Sequence, residues 1–334
     1  MAKHRIAIVG GCGYVGSAIA AHLSKTENII ILDKNPISKD FENKVEYRSC
    51  DILDYAEANS ELRDTDLVIH TAIVQIPVIN EKTRLGYAVN FQGLQNVCRI
   101  VDQSSSIKGL ILTGTWHVFG ERKLNGTIDE SFGFRPDKVE SRARLYVMSK
   151  IAQEVIVRYY DEMSDKIYGV IRMGTVLGKG MPEKTAANIF ISKGLRGEPL
   201  TPFKQSMFRP MLYVDINDVC EAFARFAAKI LNKEACKEES SLAHVVNLCC
   251  PEPITIKDLA DITRKIIIEQ TEGKIQPRVE IIDNGEPILF ESEDKLRIKV
   301  DISKATSFLG MGKLKNPETS MKELVQDALS AINT

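Results

Sequence analysis

The feature that most constrains this chain is a glycine-rich turn near its start. The apolar run Ile6–Val9 precedes the turn, and a helical pattern over Val15–Leu23 follows it. Glycines three residues apart let a backbone turn tightly and approach a pyrophosphate, whose charge the helix amides then favour. The segment therefore predicts a dinucleotide-binding strand–turn–helix. Its predicted binding residues are Gly10, Gly13, Tyr14, Val15 and Gly16.

An acidic residue stands where such a site needs one. Asp33 follows the second apolar run, Ile29–Leu32. A carboxylate at this point accepts hydrogen bonds from the adenosine ribose and repels a 2′-phosphate, which favours NAD over NADP. Lys34 is predicted to contact the cofactor as well, and its positive charge weakens the preference.

The first half of the chain alternates short apolar runs with longer helical patterns. This alternation predicts an α/β fold with a Rossmann-type, doubly wound parallel sheet. The predicted strands are Ile6–Val9, Ile29–Leu32, Val45–Ser49, Leu67–His70, Gly109–Leu112, Tyr168–Arg172 and Val245–Leu248. The predicted helices are Val15–Leu23, Tyr87–Asp102 and Arg144–Glu162, with one more inside Met181–Gln205 and another inside Tyr213–Ile230.

The alternation breaks after Arg172, which predicts a second, smaller unit. We assign residues 1–175 and 211–250 to the dinucleotide-binding domain. Residues 176–210 and 251–334 are assigned to a mixed α/β lobe that binds the substrate.

Composition narrows the class of protein. The net charge of −1 argues against a nucleic-acid surface, which needs a basic excess. No segment has the roughly 20 apolar residues of a membrane helix. Seven cysteines without a CxxC pair or a Cys/His ligand spacing predict free thiols in a reducing compartment, here the cytoplasm, and no metal site.

Tyr146 and Lys150 are four residues apart in a helical pattern, so both lie on one face of the helix. An ammonium beside a phenol stabilises the phenolate and is expected to lower the phenol's pKa from about 10. The pair is then a general acid and base for a hydroxyl group.

Together these motifs resemble the extended short-chain dehydrogenase/reductases, which include nucleotide-sugar epimerases, dehydratases and decarboxylases. The resemblance runs through Arg172 and resumes at Arg209–Val219 and at Asp301–Ala305. Besides the glycine turn and the Tyr/Lys pair, it depends on Asp51-Ile52, His70-Thr71-Ala72, Val89–Gly93 and Thr115–Gly120.

The resemblance implies roles for individual residues. Thr115 would hydrogen-bond the reacting substrate oxygen, with Tyr146 as the base and Lys150 reaching the nicotinamide ribose. The other residues it implies for the cofactor are Asp51 and Ile52 at the adenine, Thr71 and Ala72 under the phosphates, and Asn90 near the active site. Arg209 matches an arginine that grips the nucleotide diphosphate, and Thr175 stands where the family usually has a substrate-facing asparagine.

The chain departs from the family where the substrate should bind. Asp137–Leu145 forms a longer, charged insertion between Pro136 and Tyr146, and Ile73 replaces an alanine. Dehydratases of the family carry Asp-Glu directly after the threonine, whereas this chain has Trp116 and His117. Elimination and decarboxylation are therefore not expected.

The resemblance leaves three functions open. The first is an NAD-dependent nucleotide-sugar epimerase. The second is an NAD-dependent oxidoreductase for a less polar alcohol or ketone, such as a steroid or phenolic compound. Trp116 and Phe119 would serve such a substrate, or else they belong to the core. The third is a non-catalytic NAD sensor. The helical patterns Tyr87–Asp102 and Arg144–Glu162 also resemble the helices through which family members dimerise, so a homodimer is expected.

Overall fold

The computed structural model describes residues 3–41 and 44–332. Its strands are β1 (Arg5–Val9), β2 (Asn28–Asp33), β3 (Glu46–Ser49), β4 (Leu67–His70), β5 (Gly109–Thr115), β6 (Gly126–Ile128), β7 (Ile167–Met173), β8 (Thr175–Leu177), β9 (Pro210–Met211), β10 (Tyr213–Asp215), β11 (Val245–Leu248), β12 (Ile254–Thr255) and β13 (Ile298–Val300). Every strand predicted from an apolar run is present.

The helices also follow the predicted patterns. They are α1 (Tyr14–Leu23), α2 (Tyr55–Leu62), α3 (Val78–Glu81), α4 (Thr83–Tyr87), α5 (Leu94–Gln103), α6 (Arg144–Met163), α7 (Ala186–Leu195), α8 (Ile216–Leu231), α9 (Ile256–Gln270), α10 (Ser303–Ser307) and α11 (Pro317–Ile332). One prediction differs in detail. The helix expected over Tyr87–Asp102 is interrupted, because a π-helical segment, Ala88–Gly93, joins α4 to α5.

The main sheet confirms the predicted α/β fold. Within the described residues it has seven strands in the order β11-β7-β5-β4-β1-β2-β3, and each neighbouring pair is parallel. The strand order reverses at β1, since β2 lies on one side of it and β4 on the other. Ligands of such sheets bind at the carboxyl ends of the strands beside this reversal. The glycine turn follows β1 at that position.

Helices cover both faces of the sheet because its strands are apolar on both faces. On one face, Ile19 of α1 and Phe223 and Phe226 of α8 pack against the sheet. On the other face, α2, α5 and α6 supply residues such as Val97 and Val157. The helices on the two faces hold the carboxyl ends of β1, β4 and β5 in fixed positions.

A smaller layer is built mainly from α7, α9 and α11, which pack on one another. Its apolar core includes Phe190, Leu259 and Met321. Two short strand pairs belong to it, β9 with β12 and β6 with β13. Since β6 lies at Gly126–Ile128, a segment from the first half of the chain pairs with the late part. The domain boundaries given above stay a prediction.

One buried ion pair connects helix α6 to strand β7. Arg172 donates through Nε and Nη2 to the carboxylate of Glu154, with an Nη2–Oε1 distance of 2.6 Å. Both side chains are only 1% exposed. The guanidinium also donates to the carbonyl of Glu130 and lies over the Phe119 ring. Buried charges need partners of this kind, because desolvation is costly.

Among the described residues, no helix has the length and apolar character needed to cross a membrane. The same residues contain no group of three or more His, Cys, Asp and Glu side chains that could hold a metal ion.

Candidate active site

The glycine turn is packed so closely at Gly10 and Gly16 that a side chain cannot be added at either position. Gly10 has φ +80°, and a Cβ there would lie 2.5 Å from the backbone nitrogen of Ala72. A Cβ on Gly16 would lie 2.6 Å from the Gly10 carbonyl oxygen and 2.7 Å from Thr71 Oγ1. The Thr71 hydroxyl contacts the carbonyls of Val9 and Gly10, each at 2.9 Å. The structure thus brings Thr71 and Ala72 against the turn.

The first turn of α1 is left open to a ligand by this packing. Gly13 precedes the helix, and no side chain caps its N-terminus. Tyr14 and Val15 begin the helix beside the turn. Free amides at a helix N-terminus and a bare glycine backbone are what a pyrophosphate requires. The residues of the turn therefore fit a dinucleotide, although their individual contacts with one stay a prediction.

Asp33 lies beside the turn, as predicted. Its Oδ2 accepts a hydrogen bond from the Cys12 amide at 3.0 Å, and its Oδ1 accepts one from the Asn35 amide at 2.9 Å. The Asn35 side-chain amide also donates to Oδ1 at 3.1 Å, and the three contacts fix the carboxylate at the end of β2. A carboxylate has further lone pairs, so it can still accept hydrogen bonds from a ribose.

Lys34 and Asp51 form an ion pair that the sequence did not indicate. Lys34 Nζ donates to Asp51 Oδ2 at 2.7 Å, and the Lys34 side chain is 64% exposed. Both residues lie next to Asp33 at the predicted adenosine end of the site. Ile52 is buried, and its side chain reaches Gly93, where a Cβ would lie 2.6 Å from Ile52 Cδ1.

Asn90 is fully buried, and its amide is already paired. Its Oδ1 accepts from the Val74 amide at 2.7 Å, and its Nδ2 donates to the Val74 carbonyl and to Ser149 Oγ, each at 3.1 Å. Ser149 directly precedes Lys150. Asn90 therefore connects the loop after β4 to helix α6, and its predicted contact with the cofactor stays untested.

The predicted catalytic residues meet at the carboxyl end of β5. Thr115 ends β5, and Tyr146 and Lys150 lie in the first two turns of α6. The Thr115 hydroxyl lies close enough to the phenol of Tyr146 to lower its pKa. Lys150 Nζ donates to the Thr113 carbonyl at 2.6 Å. This grouping is suited to moving a proton to or from a hydroxyl.

The direction of the Tyr146 pKa shift was predicted wrongly. Burial, the largest cause, raises the pKa of Tyr146 to about 12, and the contact with Thr115 lowers it only in part. Burial also lowers the pKa of Lys150 to about 7. Desolvation disfavours the charged form of both groups, which sequence spacing cannot reveal.

Four further side chains extend the site inward: His117, Glu121, Arg209 and Glu140. The sequence analysis did not single out Glu121 or Glu140. Thr115 Oγ1 lies 3.0 Å from His117 Nδ1, and His117 Nε2 lies 3.3 Å from Oε1 of the buried Glu121. The third neighbour is Arg209, whose Nη1 is 2.8 Å from Glu140 Oε1 and 3.9 Å from Glu121 Oε1. His117 and Glu121 are four residues apart in the sequence, and this spacing could have indicated that they are close to each other. Nothing local indicates Glu140.

Arg209 was predicted to bind the diphosphate of a nucleotide substrate. It is only 9% exposed, and its charge is already paired with Glu140 of the insertion between Pro136 and Tyr146. A diphosphate can bind the guanidinium only by displacing Glu140 or by using its remaining donors. Arg209 Nε has no hydrogen-bond partner within the described part of the chain.

Thr175 accepts a hydrogen bond from the Trp116 indole at 3.3 Å. Trp116 and Phe119 are each 1% exposed and belong to the apolar core of the smaller layer. The observed arrangement therefore favours a core role for these two rings over contact with an apolar substrate. The substrate role of Thr175 stays a prediction.

Comparison with known proteins agrees with the fold. Residues 6–239 match the model of the NAD dependent epimerase/dehydratase family. A curated relative, short-chain dehydrogenase/reductase family 42E member 1 of Danio rerio, is 32% identical over 133 residues. That match covers 39% of this chain, and the chain spans 34% of the relative's length.

Solved structures show the same fold across the whole chain. MoeE5 in complex with UDP-glucose and NAD is 16% identical, with a TM-score of 0.77, and the match covers 98% of this chain and 99% of MoeE5. UDP-glucose 4-epimerase of Thermotoga maritima is 19% identical, with a TM-score of 0.77 and coverage of 98% and 99%. UDP-N-acetylglucosamine 4-epimerase of Methanobrevibacter ruminantium M1 has the same identity and TM-score, with coverage of 99% and 100%.

The fold and the family match identify this chain as a member of the extended short-chain dehydrogenase/reductases. The chain belongs to the NAD dependent epimerase/dehydratase family. Its cofactor is NAD, which supplies the hydride acceptor when it is bound.

Replacing Asp33 by alanine is expected to weaken NAD binding and to reduce the difference in affinity between NAD and NADP. A hydrogen bond to a charged group contributes about 1.5–3 kcal/mol, or roughly ten- to hundredfold in Kd. Asp33→Asn is the control for the turn, because an amide oxygen can still accept from the Cys12 amide. Titration of both cofactors into the three proteins is the measurement. A wild type that binds NADP more tightly than NAD would contradict the prediction.

Proposed function

We propose that this enzyme is a nucleotide-sugar epimerase. Tyr146 would take the proton from a sugar hydroxyl while the hydride leaves the same carbon, and Thr115 would hold that oxygen. The keto sugar would then rotate in the site, and the hydride and the proton would return to it on its other face. No net redox change results. The observation that carries the proposal is the Thr115–Tyr146–Lys150 grouping at the carboxyl end of β5. The UDP-sugar enzymes of similar fold support the substrate class.

Two contacts argue against elimination. Water loss needs an acid and a base beside the keto sugar. The Trp116 ring is in the core, and His117 is held between Thr115 and Glu121. A second acid that reaches the sugar is not among the residues next to Thr115.

The test is a panel of UDP-, dTDP- and GDP-hexoses incubated with the purified protein. Proton NMR should show inversion at one sugar carbon, which we expect to be C4, and the absorbance of reduced cofactor should not change with turnover. A 6-deoxy methyl doublet or release of carbon dioxide would overturn the proposal. The Tyr146→Phe variant is the control for contaminating epimerase.

A second candidate is a net NAD-dependent oxidoreductase for a less polar alcohol or ketone. The observation that favours it is the pairing of Arg209 with Glu140, which neutralises the arginine expected to hold a diphosphate. Reduced cofactor would then accumulate in step with product. The third candidate, a sensor that binds NAD without turnover, is disfavoured by the complete Thr115, Tyr146 and Lys150 set.

We further propose a cytoplasmic location. We also propose the two-domain division given above, with boundaries at residues 175, 211 and 250. All seven cysteines are free thiols, which suits a reducing compartment. The seven strands of the main sheet fall within 1–175 and 211–250.

A homodimer through helix α6 is part of the proposal. One face of this helix exposes apolar side chains at helical spacing: Leu145, Met148, Val155, Tyr159 and Met163. Tyr87 is exposed as well and stacks on Phe91, with 4.8 Å between the ring centroids. An apolar stripe of this size on a helix is typical of an interface between chains.

A variant with Val155→Glu and Tyr159→Glu is expected to be a monomer at micromolar concentration, because charges at the centre of an apolar interface are strongly disfavoured. Light scattering of wild type and variant measures the change. Leu296→Glu is the matched control, since Leu296 is 77% exposed and lies outside α6. A monomeric wild type would contradict this prediction.

A further inference from the structure

The ion pair of Lys34 and Asp51 joins two strand ends that border the predicted adenosine site. Strands β2 and β3 are parallel, with Asp33 opposite Ser49, so their carboxyl ends lie at one edge of the sheet. Lys34 follows β2, and Asp51 comes shortly after β3. The two side chains meet at this edge, where Lys34 Nζ donates to Asp51 Oδ2 at 2.7 Å. The pair is therefore next to Asp33, the carboxylate predicted to bind the adenosine ribose.

The backbone on both sides of Lys34 is fixed by hydrogen bonds. The Asp33 carbonyl accepts from the Cys50 amide at 3.2 Å, and the Asn35 carbonyl accepts from the Tyr47 hydroxyl at 3.0 Å. The Asn35 amide also donates to the Asp33 carboxylate at 2.9 Å. The point from which the Lys34 side chain starts is thus set, while its flexible four-carbon stem lets the ammonium turn toward a nearby anion.

Asp51 is the better fixed member of the pair. Its Oδ1 accepts from the Leu53 amide at 3.0 Å, and its own amide donates to Glu57 Oε2 at 3.2 Å. The Asp51 side chain is 31% exposed, against 64% for Lys34. The position of the carboxylate therefore determines where the ammonium points.

A lysine at position 34 works against selectivity for NAD. The Asp33 carboxylate repels a 2′-phosphate on the adenosine ribose, whereas an unpaired ammonium one residue further on attracts it. The sequence alone therefore predicts that Lys34 weakens the preference for NAD. The observed ion pair changes this expectation, because the ammonium already has an anionic partner.

We propose that Asp51 secures the preference for NAD by engaging the Lys34 ammonium, which would otherwise be available to a 2′-phosphate. NAD leaves the ion pair in place. NADP gains the lysine only by breaking the pair, so the attraction is offset. Asp51 is a positioning residue in this scheme, since its effect on selectivity acts through Lys34.

The test is the ratio of the NADP Kd to the NAD Kd, measured by titration calorimetry. Asp51→Asn keeps the size of the side chain and removes its charge, so the released ammonium should favour NADP. We expect the ratio to fall about fivefold, the effect of one exposed ion pair. A contact of Asp51 with the adenine, which both cofactors carry, cancels in the ratio. An unchanged ratio in Asp51→Asn would overturn the proposal.

The same substitution in a Lys34→Ala background separates the ion pair from direct repulsion. With the lysine absent, Asp51→Asn should change the ratio by less than about twofold, because no ammonium is released. If Asp51 itself repels the 2′-phosphate, the ratio falls equally in both backgrounds, and the proposal is wrong.

Asp283→Asn is the matched control. It breaks the Lys204–Asp283 pair, which is also exposed and also has a length of 2.7 Å, but lies outside the main sheet. The ratio should keep its wild-type value. A fall similar to that in Asp51→Asn would show that the ratio follows net charge and would contradict a specific role of Lys34. No sugar enters these titrations, so their outcome is independent of the proposed epimerase activity.

Discussion

Tyr146→Phe is expected to lower turnover by at least about 10²-fold, the lower end of the contribution of a general acid or base. The substitution keeps the aromatic ring, so the packing of α6 against the His117 ring should persist. It removes the phenolic oxygen, which is the group proposed to carry the proton. NAD binding should change little, because the glycine turn and Asp33 are on other elements.

A matched control lies on the same helix. Tyr159→Phe removes a phenolic oxygen from a side chain that is 69% exposed, and turnover should stay at the wild-type value. Initial rates with the substrate identified in the panel, together with NAD titration of each variant, make the measurement. Near-normal turnover in Tyr146→Phe would mean that Tyr146 is not the base.

Glu154→Ala is expected to lower the free energy of unfolding by about 3–5 kcal/mol, since it leaves the Arg172 guanidinium buried without its carboxylate. Arg172 crosses from β7 to α6, and both charges are 1% exposed. Its remaining contacts, with the Glu130 carbonyl and the Phe119 and Phe134 rings, do not neutralise the charge. Urea unfolding of NAD-free protein, followed by circular dichroism, is the measurement.

Two further variants isolate the cause of that loss. Asp261→Ala breaks the exposed Lys257–Asp261 pair on α9 and should cost less than about 1 kcal/mol. The double variant with Glu154→Leu and Arg172→Met removes both buried charges, and much of the lost stability should return. A change below about 1 kcal/mol in Glu154→Ala would show that the ion pair does not stabilise the fold.

The local parts of the site could be predicted because their chemistry lies within a few residues. The glycine spacing from Gly10 to Gly16 needs only a strand before it and a helix after it. Asp33 follows from the end of the next apolar run, and the Tyr146–Lys150 spacing follows from the period of one helix. The parallel sheet could be predicted too, because its buried strands are apolar on both faces.

The tertiary structure alone decided which charges meet. Glu140 pairs with Arg209 across 69 residues of sequence, and Lys34 pairs with Asp51. The side-chain amide of Asn90 is hydrogen-bonded to Val74 and Ser149, which no local pattern indicates. The direction of the Tyr146 pKa shift was also missed, since it depends on burial by several elements at once.

The sequence by itself thus determined the cofactor and the family and predicted the candidate reacting groups, because each depends on spacing along one strand, turn or helix. The tertiary structure decided which of those groups are already paired and how strongly each is desolvated. These properties depend on contacts between segments far apart in the chain, whose distances are set only when the sheet and its helices have packed.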